Sequence, residues 1–374
     1  MIDDLETPCV LIDRPRLQQN IRWVQERANA YNLKVRPHSK THKCVEIARL
    51  QQEAGAVGIT VAKTDEALVF LRAGIQSVTI AYPLVVESKL DRLLPAAGEV
   101  GSELRLVVDS PTGAEAISRA ATRHAATIPV FVKIDVGLHR CGLREDDPQL
   151  LELAQKIEQH PFLKLAGLLS HAGHAYGAQD AAEVRQIAHE EAGILHRVRD
   201  QLERDGIPVP EVSVGSTPTV LASDCYDAIT EIRPGNYVFM DRTPLRLGLI
   251  EPERIALSVL ATVVSSNSDY LIIDAGSKTF SSDRGAHGIA GVEGFGLAYP
   301  VEHFQDTGHE IVIVKLSEEH GFIARNGVDL PIGAKVRVIP NHACAVANLT
   351  EMYMVVEQDR VVDQWTVAAR GKVR

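Results

Sequence analysis

The chain has 374 residues, 45% of them hydrophobic and 24% charged, with a formal net charge of -10. That is core enough for a globular protein of two domains, and an acidic surface argues against a nucleic-acid or anionic-membrane partner. No apolar run reaches the roughly 18 residues that span a bilayer, MIDDLETPCV lacks signal-peptide order, and five dispersed cysteines without a CxxC pair fit reduced thiols, so a cytoplasmic location is expected.

TPCVLID (7–13) has strand composition, and Leu17, Ile21, Val24 and Ala28 then form an apolar stripe that predicts a helix over 14–30. Eight strand candidates follow at 35–40, 56–61, 78–82, 104–109, 129–135, 165–170, 211–214 and 228–233, with helical segments such as 111–124, 147–159 and 180–204 between them. Eight βα units predict a closed parallel (β/α)8 TIM barrel; the competing open sheet lacks a GxGxxG turn after any strand. From about residue 246 the texture changes to strand runs at 255–265, 270–274, 310–316, 334–339 and 352–357, separated by turn formers. The expectation is an α/β barrel over 14–245 and an all-β domain built from 246–374 together with 1–13.

Barrel enzymes keep their chemistry at the C-terminal ends of the strands. Lys40 ends the first strand, Arg140 follows the fifth and His171 the sixth. Gly215, Ser216 and Thr217 follow the seventh, and RPGNY brings Arg233 and Tyr237 after the eighth. Lys40, beside Arg36, His38 and Lys43, should lose basicity through burial and like charge, as an amine that forms a Schiff base requires. VGSTPT reads as a phosphate cradle of glycine, hydroxyls and a helix N-terminus, although GST is also a common helix cap. Arg140 and Arg233 suit the phenolic oxygen and ring nitrogen of pyridoxal phosphate, and His171 suits stacking on its ring. Each residue alone has a plain surface or ion-paired alternative; gathered at one rim, they describe a site.

These segments, with TPCVLID, RPHSKTHK, GITVAKTDEA, KIDVGLHRCGL, GLLSHAGHAY, EIRPGNYVFMD and PNHACAVANL, cover nearly the whole chain. The chain resembles the D-serine dehydratase and D-threonine aldolase family of fold-type III pyridoxal-phosphate enzymes, whose barrel is similar to the N-terminal domain of alanine racemase. The resemblance implies that Lys40 carries pyridoxal 5'-phosphate and acts as the base at Cα, and that Arg140 and His171 contact the ring. It further implies phosphate contacts from Gly215, Ser216, Thr217 and Tyr237, a contact from Tyr176, and Arg233 facing the pyridine nitrogen. It also implies a homodimer whose sites form between one barrel and the other subunit's β domain.

His342 and Cys344 in PNHACAVANL read as a metal pair, since i and i+2 on an extended segment face one way. Imidazole with thiolate favours Zn²⁺ over Mn²⁺ or Mg²⁺, and two protein ligands leave positions open for substrate. By itself HxC is weak, because a buried cysteine beside a structural histidine is commoner. His320 in LSEEHGF is a further candidate without a role. The expected function is a pyridoxal-phosphate- and metal-dependent lyase of D-β-hydroxy amino acids, a dehydratase of D-serine or D-3-hydroxyaspartate. The alternatives are a D-threonine aldolase, an amino-acid racemase (no tyrosine matches a second racemase base) and a non-catalytic cofactor-binding protein.

Overall fold

Asp13 ends strand β1 (Cys9–Asp13) and caps the helix Arg14–Ala30, its carboxylate accepting the Arg16 N–H at 3.0 Å. The computed structural model describes residues 1–285, 292–325 and 327–374. Eight parallel strands follow: β2 (Lys34–Val35), β3 (Ile59–Val61), β4 (Ser77–Pro83), β5 (Glu103–Val108), β6 (Ile128–Lys133), β7 (Leu163–Leu169), β8 (Glu211–Val214) and β9 (Glu231–Ile232). Their order is β2-β9-β8-β7-β6-β5-β4-β3, and a parallel bridge from His38 to Thr60 joins the two ends. The sheet closes on itself, as the βα alternation predicts.

Strands β2, β3 and β9 are much shorter than their sequence runs. The ladder of β2 stops at Val35 although the Arg36 N–H still reaches the Ile232 carbonyl, because Pro234 has no N–H to return, and the chain turns into a 3-10 segment, Ser39–Thr41. At Gly167 β7 comes so close to β8 that a Cβ would lie 1.8 Å from the Glu211 carbonyl oxygen, at a φ of +144°. Only glycine fits that position.

The last eight strands are β10 (Leu257–Ser266), β11 (Tyr270–Ile273), β12 (Gly296–Pro300), β13 (Ile311–Leu316), β14 (Gly321–Ala324), β15 (Lys335–Pro340), β16 (Met352–Glu357) and β17 (Arg360–Thr366). Strand β10 bends between Val263 and Ser265 and pairs with both β15 and β11, so the circuit β10-β11-β14-β13-β12-β15 is a second, antiparallel barrel. Strand β1 lies against β10 in this sheet, not in the parallel one. Strands β12, β14 and β17 and the helix Ala343–Leu349 have no counterpart among the sequence expectations. β12 and β14 are short and begin with glycine, and most of β17 is exposed, leaving it without an apolar alternation to read. No helix among the described residues is long and apolar enough to cross a membrane.

The floor of the parallel barrel is ionic. Glu231, 1% exposed, takes Arg36 at 2.8 Å and Arg105 at 3.4 Å, and Arg105 reaches Glu211 at 2.6 Å. These residues sit on strands β5, β8 and β9 and just after β2, so the contacts cross the barrel interior. Arg105 also lies 4.6 Å over the ring of Phe131, which packs with Leu169 in the layer above. Burial pushes the Glu231 pKa up, but Arg36 and Arg105 outweigh it and hold it below the ordinary value. This contribution to stability is therefore fully present above pH about 4.3 and is lost as pH falls through the lower folded-state value. Glu231→Gln leaves the buried Arg36 guanidinium without its carboxylate and Arg105 with Glu211 as its close partner. The expected loss is about 3–5 kcal/mol, read from urea or thermal unfolding at pH 7; a loss under about 1 kcal/mol would show that the network does not hold the floor.

Candidate active site

Above that floor, at the C-terminal ends of the strands, lies a cavity of about 270 Å³. Lys40 enters it from the 3-10 turn after β2, not from the strand itself as the sequence suggests. Arg140, His171, Tyr176, Gly215, Ser216, Thr217 and Arg233 also line it, together with His342 and Cys344 from the antiparallel domain. Two of the sequence candidates do not. His320 is exposed in the turn between β13 and β14. Tyr237 is buried in the barrel wall, where its hydroxyl accepts a hydrogen bond from Gln51 Nε2 at 3.0 Å. It meets the phosphate-cradle loop only through its backbone, its N–H donating to Thr217 Oγ1 at 3.1 Å.

Burial lowers the Lys40 pKa; Cys344 and Glu66 oppose the shift while Arg140 and Arg233 reinforce it. The direction is the expected one, but the cations responsible differ. Lys43 is paired with Glu66 at 3.5 Å and Arg36 with Glu231, so neither acts as an uncompensated neighbour. His38 is held neutral by burial and by Lys40, and its Nδ1 accepts the Lys40 backbone N–H at 3.4 Å.

Ser216 caps the helix Thr217–Ala222, its Oγ accepting the Thr219 N–H at 3.3 Å. The Tyr176 hydroxyl bonds to Thr217, and His171 Nδ1 donates to the Gly215 carbonyl at 2.8 Å, which fixes both rings against this loop. Gly235 lets the loop after β9 lie against the lysine turn, since a Cβ there would stand 2.7 Å from Thr41 Oγ1. Arg233 donates to Ser213 Oγ at 2.5 Å and to the Ser170 carbonyl; burial lowers its pKa to about 10, so it remains a cation at neutral pH.

Sequence reasoning missed Lys133, Thr41 and Asn236, which also line the cavity. All three lie inside motifs already singled out, KIDVGLHRCGL, RPHSKTHK and EIRPGNYVFMD, but nothing in a one-dimensional pattern says which residues of a motif face inward. Burial lowers the Lys133 pKa to about 8. The described lining thus carries four basic side chains, Lys40, Lys133, Arg140 and Arg233, and no carboxylate. Such a cavity selects anions. A buried amine of lowered basicity next to a capped, hydroxyl-rich loop fits a phosphorylated aldehyde.

His342 and Cys344 do meet, though not on an extended segment. His342 is the extended N-cap residue and Cys344 already belongs to the helix Ala343–Leu349. The two side chains share a hydrogen bond. Burial alone would lower the imidazole pKa, but the Cys344 thiolate, Asp241 and Asp283 outweigh it and raise it to about 9. Burial pushes the thiol up, but His342 reverses that and leaves it below its ordinary value. An imidazole and a thiolate sharing one proton are the donor set of a soft divalent ion, which takes the proton's place.

The pair is seated by the loop after β9. Asp241 accepts the Ala343 N–H at 3.0 Å, Arg242 donates to Asn341 Oδ1 at 2.8 Å, and Thr243 bonds to the Asn341 carbonyl at 3.4 Å. Cys344 Sγ then lies 3.3 Å from Thr41 Oγ1, beside Lys40. The pair reaches the lysine turn within one chain.

Residues 12–243 match the family model described as alanine racemase, N-terminal domain, and residues 256–356 match the putative serine dehydratase domain. The chain is similar to D-threo-3-hydroxyaspartate dehydratase from Delftia sp., with 35% identity over 96% of this chain and 97% of that one. It is 32% identical to a D-threonine aldolase from Arthrobacter sp. (98% and 93% covered) and 30% identical to the D-serine dehydratase of Dictyostelium discoideum (96% of each). A solved variant of D-threo-3-hydroxyaspartate dehydratase in a metal-free form superposes with a TM-score of 0.90 at 34% identity, over 98% of both chains.

His342 Nδ1 lies 3.4 Å from Asp283 Oδ2, leaving Nε2 as the nitrogen for a metal. A carboxylate behind a ligating histidine fixes its tautomer and strengthens it as a donor. If His342 and Cys344 hold a divalent ion, Asp283→Asn is expected to weaken its binding about 10–100-fold, measured with Zn²⁺ as the probe by competition with a chromophoric chelator. An unchanged Zn²⁺ affinity would remove Asp283 from this role.

Proposed function

The chain belongs to the family that joins an alanine racemase N-terminal domain to a serine dehydratase domain, and on that premise we propose that it is a pyridoxal-phosphate- and Zn²⁺-dependent dehydratase of D-amino acids with a β-hydroxyl. The observation that carries this reading is one cavity holding a lysine of lowered basicity beside a histidine–thiolate pair. When bound, the cofactor supplies an electron sink for charge at Cα and the metal supplies Lewis acidity toward the β-oxygen.

Within that scheme Lys40 holds the cofactor aldehyde and, as an amine when released, takes the α-proton. Ser216, Thr217 and Tyr176 bind the phosphate, His171 holds the ring face, and Arg140 and Arg233 hold the phenolic oxygen and ring nitrogen. His342 and Cys344 hold the ion. Loss of the α-proton and the β-hydroxide as water gives an enamine that hydrolyses to a 2-oxo acid and ammonia. Elimination is favoured over aldol cleavage because it needs a base at Cα, which Lys40 provides. Cleavage needs a base at the β-oxygen instead. D-Serine and D-3-hydroxyaspartate are the substrates proposed, the second suiting a cavity rich in cations. The proposed assembly is a homodimer.

Incubation with D-serine, D-threonine and D-threo-3-hydroxyaspartate is expected to yield ammonia with pyruvate, 2-oxobutyrate or oxaloacetate. Glycine as the main product would replace this reading by an aldolase. Lys40→Ala should lose the cofactor's visible absorbance. His342→Ala should keep it and lose turnover; retained racemisation in that variant would point to a racemase instead.

A further inference from the structure

A second group of metal donors stands on the surface of the antiparallel domain, in the connection from β12 to β13. His303, Asp306 and His309 place one ligand atom each so that all three lie within 4.8 Å of one another. His303 Nδ1 is 3.1 Å from Asp306 Oδ2, and the rings of His303 and His309 are stacked at 4.0 Å, 8° from parallel. None of the three lines the active-site cavity.

The local backbone explains the convergence. Asp306 N–H donates to the His303 carbonyl at 3.0 Å and His309 N–H to the Asp306 carbonyl at 3.2 Å, two successive turns that bring every third residue to the same side. Phe304 and Gln305, between the first two donors, face inward. Phe304 lies 3.7 Å beneath the buried Arg337 guanidinium and edge-on to Tyr299. Gln305 accepts from Arg16 Nη1 at 2.5 Å and donates to the Pro252 carbonyl at 2.7 Å. Arg16 belongs to the first barrel helix and Arg337 to β15, so this loop rivets the antiparallel domain to the parallel barrel.

We propose that His303, Asp306 and His309 bind a divalent transition ion of the Zn²⁺ type, which locks this rivet. Two imidazoles and a carboxylate are a nitrogen-rich set that prefers Zn²⁺, Co²⁺ or Ni²⁺ to Mg²⁺ or Ca²⁺. Because Phe304 and Gln305 already fix the loop, binding requires only that the two rings rotate out of their stack until their nitrogens face one point. Three protein ligands leave a fourth position for water, and the ion would staple this one loop rather than meet substrate. Both imidazoles must be deprotonated at the ligating nitrogen, so protons compete with the ion.

The test uses the cofactor-loaded enzyme, stripped with EDTA and dialysed against Zn²⁺ at pH 7.5. Elemental analysis is expected to find one more equivalent of Zn²⁺ in the wild type than in the His303→Ala/His309→Ala variant, whatever the occupancy at His342 and Cys344. Zn²⁺ should raise the thermal midpoint of the wild type more than that of the variant, whose lyase activity is kept. Equal Zn²⁺ content in the two proteins overturns the proposal. Should the double variant fold poorly, Asp306→Asn is read the same way, with at least a tenfold loss of affinity expected at this site. The proposed lyase reading is judged separately, since a wild type without turnover that still exceeds the variant by one Zn²⁺ would sink that reading and keep this one.

Discussion

The site depends on one joint between the two sheets. The loop after β9 grips the turn that begins the helix Ala343–Leu349, with Asp241 on the Ala343 N–H and Arg242 and Thr243 on Asn341. Asp241 is buried and also caps its own short helix through the Thr243 N–H at 3.0 Å, so one carboxylate serves both elements. Without this joint, Lys40 and the His342–Cys344 pair would be chemistry on separate domains. With it, Cys344 reaches Thr41 and the cavity acquires its soft donors.

Charge is divided between two levels of the parallel barrel. At the floor, Arg36 and Arg105 are neutralised by Glu231 and Glu211. At the rim, Lys40, Lys133, Arg140 and Arg233 face a cavity whose described lining has no acid. The layer of Phe131 and Leu169 lies over the ionic floor, and Leu169 also lines the cavity. In a medium of low dielectric, paired charge stabilises and unpaired charge waits for a ligand. The same residue types therefore hold the fold at one end and bind anions at the other.

Much of this was legible in the sequence because barrel chemistry follows a positional rule. Lys40, Arg140, His171 and the 215–217 loop each follow a strand, and a closed parallel sheet must gather strand ends at one rim. Tyr237 misled because it shares that position, yet its ring turned away from the cavity to fill the wall beside Gln51. Lys133 escaped notice because a lysine at a strand end looks solvated until neighbouring strands cover it. The geometry inferred for HxC was also wrong in detail, since the helix that begins at Ala343 has too little periodicity over seven residues to read.

By itself, then, the order of residues determined the alternating βα period, the change to strands after 246, and the cluster of reactive types at strand ends. These are local or periodic properties, set by side-chain hydrophobicity and turn chemistry along one stretch of chain. The tertiary structure decided which cations are paired, which way Tyr237 points, and that His342 and Cys344 arrive beside Lys40 from the same chain. Those outcomes depend on contacts between residues some 300 positions apart, such as Cys344 with Thr41. Burial and partner distance, which set basicity and metal affinity, exist only once such contacts are made.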